Sequence, residues 1–309
     1  MSVEKHSHLG SDSFEDEHDH EHDHDHEYDP GQPDDEKPRA LLIGYGDIAS
    51  RVAPLLIDLG FAVTGVRRSP ERAELLPEVQ LVAGDVSQVE TWAQLLSEPW
   101  DLVVVTLTPT DYSEAGYAAG YVQPMQALAT AWHALRKDEA PLLMYVSSSS
   151  VWGVRDGSWV DESTPATPDS ATGQQLLRAE EVVAEVGMPY VIVRASGIYG
   201  PGRERMYAAL QRGDYTITPA WANRIHADDL ALVLQHLALQ HFMGTELDSL
   251  YIATEDEPLQ GDDYIRRLAS ELELDAEALL KTLPRSDKIG PRGSKRLRND
   301  RLKATGFSF

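Results

Sequence analysis

Leu41-Leu42-Ile43-Gly44-Tyr45-Gly46-Asp47-Ile48-Ala49 is the stretch on which the reading of this chain turns. A short apolar run stops at Gly44, two glycines stand two apart, and residues 48–59 are compatible with a helix. Strand, tight turn and helix start, in that order, give a G-x-G-x-x-A string its meaning. Gly44 permits the sharp turn. Gly46 lacks the Cβ that would hold a pyrophosphate away from the backbone, and Ala49 is small enough for close helix–strand packing. Phosphates would then sit on the unsatisfied amides of the first turn, around Asp47 and Ile48, at the positive end of the helix. On its own the string also fits an ordinary glycine-rich turn.

Further along, Phe61-Ala62-Val63-Thr64-Gly65-Val66 reads as a second strand and Arg67-Arg68-Ser69-Pro70 follows it. Sites that prefer NAD place an acidic residue near this point to hold the ribose hydroxyls. Two guanidinium groups stand here instead, suited to charge-assisted, bidentate bonds with a 2′-phosphate, so NADP is expected ahead of NAD. A short helix is expected from Pro70, a third strand over 79–83, and a helix from Ser87 to about 97. The β-branched run 101–107 gives a fourth strand, residues 113–136 one long helix kinked near Pro124, and 142–146 a fifth strand. Residues 188–194 give a sixth. Strands alternating with helices predict a doubly wound parallel sheet, whose ligands lie at the carboxyl ends of the strands. Gly44, Arg67, Asp85, Thr106 and Ser148 all fall there.

The composition bounds the function. A chain of 309 residues with 42% hydrophobic residues is long enough for one large α/β domain or two closely joined ones. With no cysteine, disulfides, thiolate metal sites and cysteine nucleophiles are excluded. The net charge of −24 argues against nucleic acid or an anionic membrane as a partner. No apolar run approaches a membrane span and the N-terminus is acidic, so the expected compartment is the cytoplasm. Residues 1–37 carry fourteen Asp and Glu against two Lys, half of the whole net charge, and alternate His with Asp or Glu from His18 to His26. With almost nothing apolar to bury, this tail is expected to be disordered. Loose binding of zinc, nickel or copper by its imidazoles is one reading and a solvating tail the other; nothing in it fixes a coordination geometry, and no metal ligand is assigned.

Taken together, Gly44 to Ala49, Gly84-Asp85-Val86, residues 147–153 (S-S-S-S-V-W-G), Asp161-Glu162-Ser163-Thr164-Pro165, residues 194–202 (R-A-S-G-I-Y-G-P-G) and Arg224-Ile225-His226-Ala227-Asp228-Asp229-Leu230 resemble the extended short-chain dehydrogenase/reductases, the NAD-dependent epimerase/dehydratase family. Ser294-Lys295-Arg296 to Leu302 is similar to that family's C-terminal end. The resemblance spans nearly all of residues 39–309. It implies that Asp85 and Val86 contact the adenine, that Thr106 to Thr108 line the cofactor, and that Ser148 holds the place of the catalytic Ser or Thr. The family's Tyr-x-x-x-Lys pair is missing: Thr172 stands at the tyrosine position and Leu176 at the lysine position. A threonine hydroxyl is far too weakly acidic to replace a phenol, and leucine supplies no charge. Tyr112, Tyr117, Tyr121 and Tyr199 are the candidates for a replacement proton donor, Tyr121 being the one assigned, against the alternative that each packs as a half-buried aromatic. His226 is read as the start of a helix or as a substrate contact. Trp221, Arg224, Arg203 and Lys295 are substrate-contact candidates by their neighbourhood in the family pattern.

The expected architecture is therefore α/β: a disordered tail over 1–37, a Rossmann-type dinucleotide-binding core over 38–200, and mainly a smaller substrate lobe over 201–309 with segments returning to the core. The expected function is an NADP-dependent oxidoreductase or epimerase/dehydratase-like enzyme acting on a small polar or sugar-like substrate. A non-catalytic NADP-binding redox sensor or regulator is the alternative, motivated by the missing pair, and a metal-handling protein carried by its tail is a third. A small-molecule substrate is the expected partner, with no nucleic acid and no membrane; a homodimer and weak divalent-metal binding by the tail stay open.

Overall fold

Seven short β-branched and apolar segments form one sheet: β1 (Arg39–Ile43), β2 (Ala62–Arg67), β3 (Val79–Ala83), β4 (Leu102–Val105), β5 (Leu142–Ser148), β6 (Tyr190–Ala195) and β7 (Leu250–Ala253). The computed structural model describes residues 37–72, 76–290 and 292–309. The disorder and metal binding expected of the acidic tail fall on residues outside these. The spatial order is β7-β6-β5-β4-β1-β2-β3 and every pairing is parallel. The chain runs outward from β1 in one direction to β3, then resumes on β1's other side with β4. The strand order therefore reverses between β1 and β4, where sheets of this kind leave a crevice at the carboxyl ends.

Successive side chains on a strand point to opposite faces, and both faces are covered. Leu42 and Val104 face α1 (Asp47–Asp58) and a later helix over Ala227–Phe242, joining a core with Val52, Leu56, Leu230 and Leu234. Leu41, Ile43 and Val103 face the other way, against Trp92 of α2 (Val89–Leu95) and, further on, Leu128 and Val183. This is the doubly wound Rossmann-type fold expected.

Two helices differ from expectation. The helix after β3 begins at Val89 rather than beside Ser87, because Asp85 Oδ1 accepts from both the amide (3.0 Å) and the hydroxyl (2.8 Å) of Ser87. That Asx turn uses up two residues before the helix can start. The long helix is divided into α3 (Glu114–Tyr117), a π-helical turn at Ala118–Val122, and α4 (Gln123–Leu135). The break is near Pro124, as expected: helical backbone angles run on through Tyr117, Val122 and Gln123, so the proline removes an amide that an unbroken helix would bond four residues back. The break also falls where Gly120 meets the 108–109 loop: a Cβ there would lie 2.6 Å from both Pro109 Cα and Thr108 O.

After α5 (Ala171–Glu185) and β6, the chain forms α6 (Arg205–Gln211), α7 (Ala227–Phe242), α8 (Gly261–Glu271), α9 (Ala276–Thr282) and α10 (Asp300–Ala304). Leu210, Ile217, Tyr264, Ile265, Leu268 and Leu283 make a satellite core of their own, while α7 lies on α1 and β7 completes the sheet. Among the described residues no helix is long and apolar enough to cross a membrane, and no group of three or more His, Asp or Glu is placed to hold a metal ion.

Candidate functional site

The glycine turn sits at the carboxyl end of β1, at the switch point. Gly44 has φ +77°, and a Cβ on it would lie 3.1 Å from Thr106 O and from the Leu107 side chain, so only glycine fits. Its amide and that of Tyr45 both donate to Val66 O (3.0 and 2.9 Å), and the Thr106 amide donates to Ile43 O (2.9 Å). The turn is thereby stitched to β2 and to the end of β4. Gly46 differs. It precedes α1 in an extended conformation, caps nothing with a side chain, and a Cβ on it would meet only Gly44 O at 3.6 Å. The first backbone bond of α1 runs from the Ser50 amide to Gly46 O, leaving the amides before it free. Open space in front of unsatisfied N–H groups fits a pyrophosphate.

The other residues of the string divide by role. Ile48 and Ala49 are 8% and 0% exposed, so only their amides face the crevice. Tyr45 turns its ring inward over β2, where Gly65 leaves room for it, and its buried hydroxyl has no partner among the described residues. The Asp47 carboxylate is held by Arg51 (Nε 2.9 Å) and by Arg203 (Nε 2.9 Å, Nη2 2.8 Å). Arg51 also pairs with Asp228 and reaches Pro201 O at 3.4 Å.

At the end of β2, Arg67 is half-buried and Arg68 exposed, and neither makes an ion pair or side-chain hydrogen bond among the described residues. Across from them Asp85 is exposed, with one oxygen in the Ser87 turn, and Val86 is 9% exposed. The Val86 carbonyl accepts from Trp92 Nε1 (2.8 Å), and its amide meets no acceptor among the described residues.

Ser148 closes β5. Its Oγ accepts from the Ser150 amide at 3.2 Å and lies 3.2 Å from Ser150 Oγ, so the hydroxyl caps the turn that follows. Beneath it Ser147 donates to Glu180 of α5. Glu180 in turn receives Arg194 of β6, through Nε to Oε1 at 3.0 Å and Nη2 to Oε2 at 2.6 Å. The Arg194 guanidinium lies over the Trp152 ring, 4.4 Å from its centroid. Lys295, 5% exposed, donates to Trp152 O (3.0 Å) and Arg292 O (3.3 Å). Burial pushes its ammonium down to about 8, against a smaller upward pull from Asp169.

Thr172 is half-buried on α5, 3.4 Å from Ser170 Oγ, and Leu176 is 2% exposed in a cluster with Val151, Trp152 and Val160. Tyr117 and Tyr121 pack on that same cluster with ring centroids 5.5 Å apart. Burial, then the neighbouring phenols, hold Tyr121 well above an ordinary phenol. Among the described residues no cation acts on it to favour its ionised form. Tyr112 is 82% exposed.

Tyr199 is engaged elsewhere: Arg224 stacks on its ring at 3.6 Å and also binds Tyr207 Oη (2.7 Å) and both Glu271 oxygens (3.2 Å). Arg224 is thus committed to the satellite core. His226 caps α7, its Nδ1 accepting from the Asp228 amide at 3.2 Å. Trp221 stacks with Arg296 (5.0 Å). A cavity of about 370 Å³ opens beside these groups, between Tyr199, Pro201, Tyr207, His226 and Glu271. Sequence reasoning named Arg203 only as a substrate-contact candidate, and missed Arg51, the hold of both arginines on Asp47 and the Glu180–Arg194 pair. The one local signal was a single charged residue, Arg194, inside the apolar run 190–195.

Residues 44–240 match the family model described as NAD(P)H-binding. Among curated proteins none matches the chain in sequence. Of solved structures, one from Methylobacillus flagellatus, provisionally named an NAD-dependent epimerase/dehydratase, is 29% identical with a TM-score of 0.70, covering 88% of this chain and 93% of that one. UDP-glucuronic acid 4-epimerase from Bacillus cereus, in complex with NAD, is 19% identical with a TM-score of 0.67, covering 86% and 91%. The Bordetella bronchiseptica enzyme WbmH, in complex with NAD+, is 17% identical with a TM-score of 0.68, covering 87% and 91%. The latter two likenesses are of fold. A glycine turn open to a pyrophosphate, a sheet that reverses beside it, and a family match spanning both lead to one assignment: the chain belongs to the NAD(P)H-binding family, on the Rossmann-type fold of the epimerase/dehydratases.

Proposed function

We propose that the protein is an NADP-dependent oxidoreductase or epimerase/dehydratase-like enzyme acting on a small polar or sugar-like substrate. The observation that carries the cofactor choice is the pair Arg67 and Arg68, without an ion-pair or side-chain hydrogen-bond partner among the described residues, at the end of β2 beside the glycine turn. A 2′-phosphate placed there would gain charge-assisted bonds that NAD has no group to make. The free amides ahead of Ser50 would hold the pyrophosphate, and Asp85 with the Val86 amide would hold the adenine. When bound, the nicotinamide supplies hydride transfer. The chain supplies orientation: Ser148, already fixed by its turn, would present its hydroxyl to a substrate carbonyl or alcohol oxygen, and Tyr121 is the proton donor assigned.

Titration of the full chain with NADP and NAD tests the reading. NADP is expected to bind more tightly, and Arg67→Ala to remove most of the difference. Equal affinities, or a preference that survives Arg67→Ala, would overturn it.

A specific observation favours a second reading. Leu176 is buried in apolar surroundings and Tyr121 is without a cation among the described residues, so the proton chemistry of the Tyr-x-x-x-Lys pair has no counterpart on α5. A non-catalytic NADP-binding sensor would bind the oxidised and reduced cofactor with different affinities and turn nothing over. Hydride transfer across a panel of carbonyl compounds and nucleotide sugars, lost in Ser148→Ala while NADP still binds, separates the enzyme from the sensor.

A further inference from the structure

Arg203 belongs to the turn after β6, yet its guanidinium makes two contacts with Asp47, in the first turn of α1 and 156 residues earlier in the chain. We infer that Arg203 is a ligand for the pyrophosphate of the bound dinucleotide, parked on Asp47 when that anion is absent. The inference rests on the dinucleotide reading above.

Asp47 leaves the same first turn whose amides are free for a phosphate. A bare carboxylate there would repel the group the turn is shaped to receive. Two arginines neutralise it, and they are not equivalent. Arg51 sits one helical turn along α1 and is pinned by Asp47, by Asp228 and by Pro201 O. Arg203 has Asp47 as its one carboxylate partner among the described residues, is about one-third exposed, and comes from a turn with positive φ at both Gly200 (+122°) and Gly202 (+81°). When Arg203 moves to a phosphate, Asp47 keeps Arg51. Without Arg203, the trio Asp47, Arg51 and Asp228 carries one net negative charge beside the anion site. With it the patch is neutral. The exchange also ties the 200–203 turn, which begins the smaller lobe, to the cofactor's charge.

Calorimetric titration of the full chain with NADP, NAD and 2′-AMP tests this, because 2′-AMP keeps the 2′-phosphate and lacks the pyrophosphate. Arg203→Gln is expected to weaken NADP and NAD by the same factor, roughly tenfold or more, and to leave 2′-AMP unchanged. Asp47→Asn, which frees Arg203 without removing it, is expected to bind both dinucleotides at least as tightly as the wild type. Unchanged dinucleotide affinities in Arg203→Gln, an equal loss for 2′-AMP, or a loss in Asp47→Asn matching that in Arg203→Gln would each overturn the inference. Wild-type protein that binds neither dinucleotide would sink the function reading itself, whereas a loss of the NADP preference alone would leave the Arg203 inference standing.

Discussion

Arg194 and Glu180 meet directly beneath the serine turn, joined by two bonds of 3.0 and 2.6 Å with each side chain less than a tenth exposed. One residue comes from the sheet and the other from α5, and Ser147 uses the same carboxylate. Removing one partner strands a buried charge, so Arg194→Met or Glu180→Ala should each cost about 3–5 kcal/mol, while Glu180→Leu combined with Arg194→Met should recover much of the loss. Urea unfolding of the four proteins measures this. A double variant as unstable as the two singles summed would show that the pair is not one unit.

The two glycines of the opening turn should separate folding from binding. Gly44→Ala forces a side chain into a left-handed conformation against Thr106 O and should cost about 1–3 kcal/mol. Gly46→Ala enters open space and should cost less than about 1 kcal/mol, yet weaken NADP strongly because the methyl occupies the pyrophosphate's approach. Thermal melts and NADP titrations of both variants check it. Full cofactor affinity in Gly46→Ala would contradict the placement of the phosphates.

Lys295 should leave a signature in the pH dependence of stability. Folding lowers its pKa from 10.5 to about 8, so between those values the unfolded chain binds more protons than the folded one. Stability from this group therefore rises with pH across that window, by up to about 1.4 kcal/mol per unit. Above 10.0 the buried phenols of Tyr121 and Tyr145, whose pKa values folding raises, pull the other way. From pH 8 to 10 the urea midpoint of the wild type should rise relative to that of Lys295→Met, and a constant difference would refute the assignment.

Arg224 should not tolerate even lysine. Its planar group stacks on Tyr199 while forking to Tyr207 and Glu271, a geometry that a point charge cannot reproduce. Arg224→Lys should lose about 3 kcal/mol and melt several degrees lower. A melting temperature within about 2 °C of wild type would show that the stacking contributes little.

Six of the seven strands were legible because each is an apolar run ending at a polar or glycine residue, and the glycine string marked the switch point; β7, four residues within the later lobe's sequence, was not read. The candidate site was legible where chemistry is local: Gly44, Arg67, Asp85 and Ser148 each declare themselves by residue type at a strand end. What escaped was pairwise and distant. Nothing near Asp47 announces Arg203, and Glu180 reads as one more acidic residue on a helix until Arg194 is placed across from it. Lys295 shows the same limit, since a lysine among arginines near the C-terminus looks solvated unless the carbonyl of Trp152 is known to cover it. The π turn was hidden because Ala118-Ala119-Gly120-Tyr121-Val122 suits an α-helix as well.

That turn sets a phase. Its closing bond runs from the Gln123 amide to Ala118 O, five residues back, so it holds one residue more than a regular helical turn needs. Deleting any one residue between Ala118 and Val122 should therefore yield an unbroken α-helix with α3 and α4 still in phase, whereas the same deletion in a regular helix would rotate everything upstream by about 100°. A one-residue deletion, which re-aims one end of an ordinary helix, would here leave Tyr117 on the same wall of the candidate site.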